Sequence, residues 1–248
     1  MKIVKAALLA ALVLGVFGVS CASAPQVIGN VDIVENFDSV VDTSSLFKEY
    51  AGANSSEWTI DNGALAFTRS RGGKVDFSGS LIGDGTVSAD ITITETGENG
   101  NAGFLVRASG FSSGGPDSVQ AYYIGIGRVS GPDANFDGAA QVLAEHTFLQ
   151  IGAMYNNWKQ LQVIPISSAR VSFPFTHKLT VEMTGSLFEV YLDGQLLTTF
   201  EDSTFASGTV GVRTYMASGS VDNLSVSNLA AMQAAAATEE VAEVQAEE

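Results

Sequence analysis

One cysteine, two histidines and five prolines in 248 residues exclude several classes of protein. A lone cysteine makes no internal disulfide, so the fold rests on its core. Two histidines, with no nucleophile-elbow motif, do not assemble a Ser/His/Asp triad. Basic residues are also scarce: 12 against 27 acidic, a formal net charge of −15. Without Lys2 and Lys5 the balance is 10 against 27, or −17. Such a chain repels phosphate backbones, which argues against nucleic acid as a partner, and it attracts cations, including calcium. No window of helical period occurs before residue 229, and no internal repeat of solenoid or propeller length is present.

Long apolar runs are missing too, with one exception at the N-terminus. Lys2 and Lys5 precede Ala6–Val19, an apolar run of 14 residues. That is short for a bilayer core of about 30 Å and suits the core of a signal peptide. Residues 1–24 are therefore expected to be a targeting segment, and the mature domain to be exported. Cys21 has two possible fates. Cleavage nearby, for example after Ala22, frees a secreted or periplasmic protein. Alternatively Gly18-Val19-Ser20-Cys21 acts as a lipobox, although Gly18 stands where leucine is usual, and Cys21 becomes a lipid anchor.

What is abundant is turn and strand. The 26 glycines punctuate alternating runs about every 8–12 residues. Thr86 to Thr94 alternates strictly, with Val87, Ala89, Ile91 and Ile93 on one face. A Gly- and Asn-rich loop is expected from Glu95 to Asn101, followed by strands at 103–109 and 119–128. Trp158 to Ile166 is a further strand, with Pro165 marking an edge or an end. Both tryptophans are expected in the core. Near the end, Asp193-Gly194 predicts a two-residue hairpin turn. It should pair Leu192 with Gln195, Tyr191 with Leu196 and Val190 with Leu197. Roughly twelve strands of this kind predict an all-β sandwich or jelly roll over 25–228. Residues 229–248, rich in Ala and Glu, are expected to be an acidic tail; a docking helix for a partner is the alternative.

The order of these signals resembles a known superfamily. Trp58-x-Ile60-x-Asn62-Gly63-x-Leu65, Ala102-Gly103-Phe104-Leu105-Val106-Arg107, the Tyr122-Tyr123 strand, Val190-Tyr191-Leu192-Asp193-Gly194, Gly208 to Arg213 and Val221 to Val226 carry the likeness. It is to the concanavalin A-like lectin/glucanase superfamily, near its laminin-G-like and 3-keto-disaccharide hydrolase branches. The resemblance implies two curved antiparallel sheets whose concave face often holds a carbohydrate. It does not select a function, since lectins, glycosidases, lyases and adhesion modules share the scaffold.

Three kinds of site follow. Family 16 glycosidases of this fold carry Glu-x-Asp-x-x-Glu on one strand, two carboxylates on a common face for a covalent mechanism. No such motif is present; Glu95-x-x-Glu98 lacks the central Asp. Glu145 and His146 are expected to be ordinary polar loop residues. A glycan groove is better supported: Arg107 should share a face with Leu105, Tyr123 with Gly125 and Gly127, and Arg213 with Tyr215. The glycines would leave bare backbone beside an aromatic platform, with planar donors at the rim; the alternative is that Tyr123 and Tyr215 are half-buried core rings and that both arginines pair with acids. For calcium, Asp133, Asn135 and Asp137, followed by Gly138, match the first half of an EF-hand loop, although position 12 is Ala144 rather than Glu. Asp222 is a second candidate ligand if its strand is regular and turns it inward with Leu224 and Val226; a hydrogen-bonded Asp capping a turn is the alternative. Glu35 or Asp38 would join it if the first and last strands pair.

The expected function is a non-catalytic, lectin-like domain binding an oligo- or polysaccharide. A structural or adhesive surface protein and a hydrolase of 3-keto-disaccharide type are the alternatives.

Overall fold

The computed structural model describes residues 33–39, 44, 46–50, 56–68, 70–136 and 140–228, with the side chains of 78–81 excepted. The targeting segment, Cys21, Asp137 and the acidic tail lie outside the described residues.

Fifteen strands follow in order: β1 Ile33–Glu35, β2 Lys48–Glu49, β3 Trp58–Asp61, β4 Ala64–Phe67, β5 Gly73–Ile82, β6 Gly85–Ser109, β7 Gln120–Arg128, β8 Ala134–Phe136, β9 Ala140–Val142, β10 Thr147–Tyr155, β11 Trp158–Pro165, β12 Phe175–Thr184, β13 Leu187–Leu192, β14 Gln195–Glu201 and β15 Gly208–Asn228. All pairings are antiparallel. No α-helix occurs among the described residues.

Two long strands organise the sandwich. β6 and β15 run beside each other from Thr209↔Ala108 to Asn228↔Gly85. The second half of β6 pairs with β7, its first half with β12. The first half of β15 pairs with β5, its second half with β4 and β1. One layer therefore reads β11-β10-β7-β6-β15-β5-β2, and the other β14-β13-β12-β6-β15, bordered by β4 and β1, with β3 on β4. The first and last strands pair as expected. β11 is an edge strand ending at Pro165, where a missing N–H costs no ladder bond.

The passage between layers occurs where a loop was expected. Glu95 to Asn101 stays in the strand. The register slips between Tyr215 and Ala217, and Asn99 and Met216 take φ of 55° and 50°. Gly100 permits this: a Cβ there would stand 2.2 Å from the Met216 carbonyl oxygen. The Gly- and Asn-rich composition thus marks a bulged crossing rather than a connection.

Alternation places the core. Val87, Ala89, Ile91 and Ile93 of one layer face Phe104, Val106, Tyr122, Ile124, Leu149, Ile151, Val210 and Val212 of the other, all fully buried. Trp58 joins this core. β10 was not expected from the sequence. It is buried on both faces over Thr147 to Met154, so it shows no period of two.

The hairpin turn has φ of 52° at Asp193 and 79° at Gly194, the left-handed pair that such a turn requires. Leu192↔Gln195 and Tyr191↔Leu196 hold as expected, but Val190 pairs with Thr198 across a bulge. The extra residue brings Phe200 onto the core face, stacked on Phe188 at 4.5 Å. The opposite face stays open, with Leu187 and Leu196 exposed.

Candidate functional site

The outer face of the β7-containing layer is where a soluble sandwich should be polar and open. Here it is largely covered. One row of residues crosses five strands in register: Lys74, Arg213, Gly103, Gly125 and Gln150. A neighbouring row runs Tyr215, Asn101, Gly127 and Phe148.

The glycines in these rows make room for aromatic rings. A Cβ on Gly125 would lie 2.1 Å from the Tyr123 hydroxyl oxygen. One on Gly127 would lie 2.6 Å from the Phe148 ring, and one on Gly152 2.3 Å from the Trp158 ring. The backbone strip at 125 and 127 is therefore roofed by Tyr123 and Phe148 rather than bare. Trp158 leaves the core position expected of it and packs edge-on to Tyr123 at 5.8 Å.

Two flaps build on this floor. Loop 110–118 lies over β5 and β15: Pro116 packs where Gly72 has no side chain, and Gly115 accepts a bond from the Lys74 ammonium. The β8–β9 pair lies over the other side, where Ala134, Phe136 and Val142 pack with Phe148 and Val163. Between the flaps is a cleft of about 350 Å³, lined by Asn99, Asn101, Asp117, Asn135, Phe136, Gln150, Trp158, Gln160, Arg213 and Tyr215.

Arg213 is the electrostatic centre. Its Nε donates to Asp117 Oδ1 at 2.9 Å, and its Nη1 to Asn101 Oδ1 at 3.3 Å. Its guanidinium lies 4.7 Å from the Tyr123 ring, 5.4 Å from Trp158 and 5.7 Å from Tyr215. A cation among rings is stabilised by their quadrupoles, more so when desolvated. Asn101 ties the floor together. Its oxygen also accepts from Tyr123 at 2.6 Å, and its nitrogen donates to Asn99 O and Gln150 Oε1. Burial raises the Tyr123 phenol far above its usual range, so it stays a donor. Lys74, fully buried, is pushed down to about 8 by desolvation, which Asp117 opposes and Arg213 reinforces.

The structure brings Tyr123, Arg213 and Tyr215 together and leaves Arg107 out. Arg107 has φ 51° and sits where the β6–β7 register slips between Val106 and Ser109. That bulge ends the expected face-sharing with Leu105. The Arg107 side chain instead packs over Phe188 and donates to Gly83 O, Phe205 O and Asp84.

Of the calcium candidates, Asp137 lies outside the described residues, and each of the others has its own place. Asp133 Oδ1 accepts from Ala144 N, and Asn135 lines the cleft. Asp222 does not turn inward with Leu224 and Val226. Asn223 takes φ 52°, the register slips between Asp222 and Ser225, and the Asp222 carboxylate accepts from Asn223 N. Glu35 is engaged with Phe37 N, and Asp38 with Asn36. No group of three or more His, Cys, Asp or Glu suited to a metal occurs among the described residues. Glu145 pairs with the buried Arg128 and the exposed Arg170.

Asn101, Asp117, Gln150, Gln160 and Lys74 had no sequence signal as site residues. They come from strands and a loop far apart in the chain and belong to no local motif.

This sandwich, with its long shared strands, is a concanavalin A-like jelly roll. The chain belongs to the 3-keto-alpha-glucoside-1,2-lyase-like domain family, whose model matches residues 36–226. Among solved structures, it is similar to the carbohydrate-binding module CBM66 from Bacillus subtilis (17% identity, TM-score 0.55, 73% of this chain and 94% of that one). It is also similar to the Bacillus licheniformis beta-glucanase (12%, 0.52, 82% and 99%). A third is the laminarinase catalytic domain from Thermotoga maritima MSB8 (12%, 0.51, 79% and 96%). At these identities the likeness is one of fold. No curated protein matches the chain.

Proposed function

We propose that this domain is exported and binds a neutral oligosaccharide in the cleft between loop 110–118 and the β8–β9 pair, without catalysis of its own. The cleft itself carries the reading: five amide side chains and a paired arginine line it beside Trp158 and Tyr215, with Tyr123 buried beneath the arginine. Amides suit hydroxyls and ring faces suit sugar C–H faces. Its volume lies near the lower end of the range for small-ligand sites, which suits roughly one or two sugar rings better than a long polysaccharide stretch. The name of the Bacillus subtilis module, a carbohydrate-binding protein, supports the same reading.

Two-carboxylate hydrolysis is disfavoured because Asp117, the one carboxylate lining the cleft among the described residues, is engaged by Arg213. The family match favours a second reading, a glycan-active lyase. Incubating the protein with neutral oligosaccharides on an array and in solution separates the two. Retention without released or altered sugar supports the binding module, and turnover supports the enzyme. No retention of any glycan would leave a structural or adhesive role.

A further inference from the structure

Three unusual features meet in Asn99. Its backbone is left-handed, at φ 55°. It occupies the bulged crossing of β6, a device that re-aims side chains and is frequent beside functional sites. Its side chain lines the cleft, yet its amide oxygen is shut from solvent with no hydrogen-bond partner.

Several of its neighbours are already engaged. Asn101 accepts twice and donates twice. Asp117 Oδ1 and Arg213 serve each other, and Gln150 reaches Gln160. Asn99 contributes its backbone carbonyl to Asn101, but its amide oxygen to nothing. A buried acceptor left unmade is unfavourable, and a left-handed non-glycine residue adds strain.

We propose that Asn99 is the specificity-determining residue of the cleft: its side chain turns on binding, and its amide oxygen accepts a hydrogen bond from one hydroxyl of a neutral sugar. This rests on the glycan-binding reading above. A ligand hydroxyl supplies the donor that the free protein lacks, and rotation about the side-chain bonds carries the oxygen into the cleft. Selectivity follows. A site built to bond a hydroxyl rejects the analogue without it far more strongly than an apolar pocket can.

The test is a cycle of variants against deoxy sugars. The probes are neutral gluco-, manno-, galacto- and fructo-oligosaccharides of two to six units, followed by singly deoxygenated forms of those retained. Asn99→Gly suits φ > 0 and removes the side chain, so it should fold with a thermal midpoint equal to or above wild type. It should bind about tenfold more weakly. Asn99→Asp keeps an acceptor and should restore most of the affinity. One deoxygenation should weaken wild type about tenfold and leave Asn99→Gly unmoved. Wild-type protein that binds none of the probes overturns the function reading, and this inference with it. Wild type that binds while Asn99→Gly binds equally well, or responds to every deoxygenation as wild type does, overturns this inference alone. A fall in the thermal midpoint of Asn99→Gly would make Asn99 structural and also overturn it.

Discussion

Tyr123 lies across Gly125, and its hydroxyl reaches Asn101 Oδ1 at 2.6 Å only because residue 125 has no side chain. The phenol thereby joins β7 to the Asn101 network and supports the stacked Arg213. Gly125→Ala should displace the ring and disconnect Asn101. Overpacking of this kind costs about 1–3 kcal/mol, visible as a lower urea midpoint, and retained sugars should bind more weakly. Unchanged stability would mean that the ring has another place to rest.

The Arg213–Asp117 pair fastens loop 110–118 to β15. Asp117→Ala leaves a cation 4% exposed without its carboxylate. Breaking a fully buried pair costs 3–5 kcal/mol; with Asp117 33% exposed, about 2–3 kcal/mol is expected. Chemical denaturation measures it. Hydrogen exchange should show loop 110–118 opening before the rest of the sandwich.

Lys74 makes stability depend on alkaline pH. Its folded pKa is about 8 against a usual 10.5, with burial the first cause. Between those values the unfolded chain holds the proton that the folded protein has lost, so stability rises with pH. The thermal midpoint of wild type should climb relative to Lys74→Met from pH 8 to 10.5. Tyr122, pushed up to about 12 by burial and by its bond to Asp202, acts oppositely: its contribution is lost as pH climbs from 10 to 12. The difference between wild type and variant removes that second effect. A flat difference would place Lys74 in contact with water.

Arg107 separates a structural from a ligand role. It is 1% exposed and donates to the carbonyls of Gly83 and Phe205. Arg107→Met keeps bulk but orphans both, for about 2–4 kcal/mol of lost stability. Sugar affinity in the folded variant should not change. Weaker binding in a well-folded variant would return Arg107 to the site.

Much of the fold was legible along the chain. Strict alternation from Val87 to Ile93 and the Asp193-Gly194 turn depend on period and local dihedral preference, which neighbours in sequence control. Pro165 marked its edge for the same reason: the missing N–H is a local property. That Tyr123, Arg213 and Tyr215 turn to one side of the layer was legible because side chains at i and i+2 share a face.

Tertiary structure decided the rest, and bulges were its main instrument. One extra residue at Arg107, at Asn223 or at Leu197, opposite Val190 and Tyr191, moves every following side chain to the other face. Composition does not announce where that happens. It turned Arg107 toward Phe188, kept Asp222 from facing inward with Leu224, and brought Phe200 into the core. The cleft is likewise a long-range object. Lys74, Asn101, Asp117, Gln150 and Arg213 meet because five strands align in register beneath two flaps. The single cysteine was enough to exclude an internal disulfide, since folding cannot supply a second thiol. Which of the residues present meet, and which keep an unused hydrogen bond, depends on strand register and loop packing, and those exist only in the folded chain.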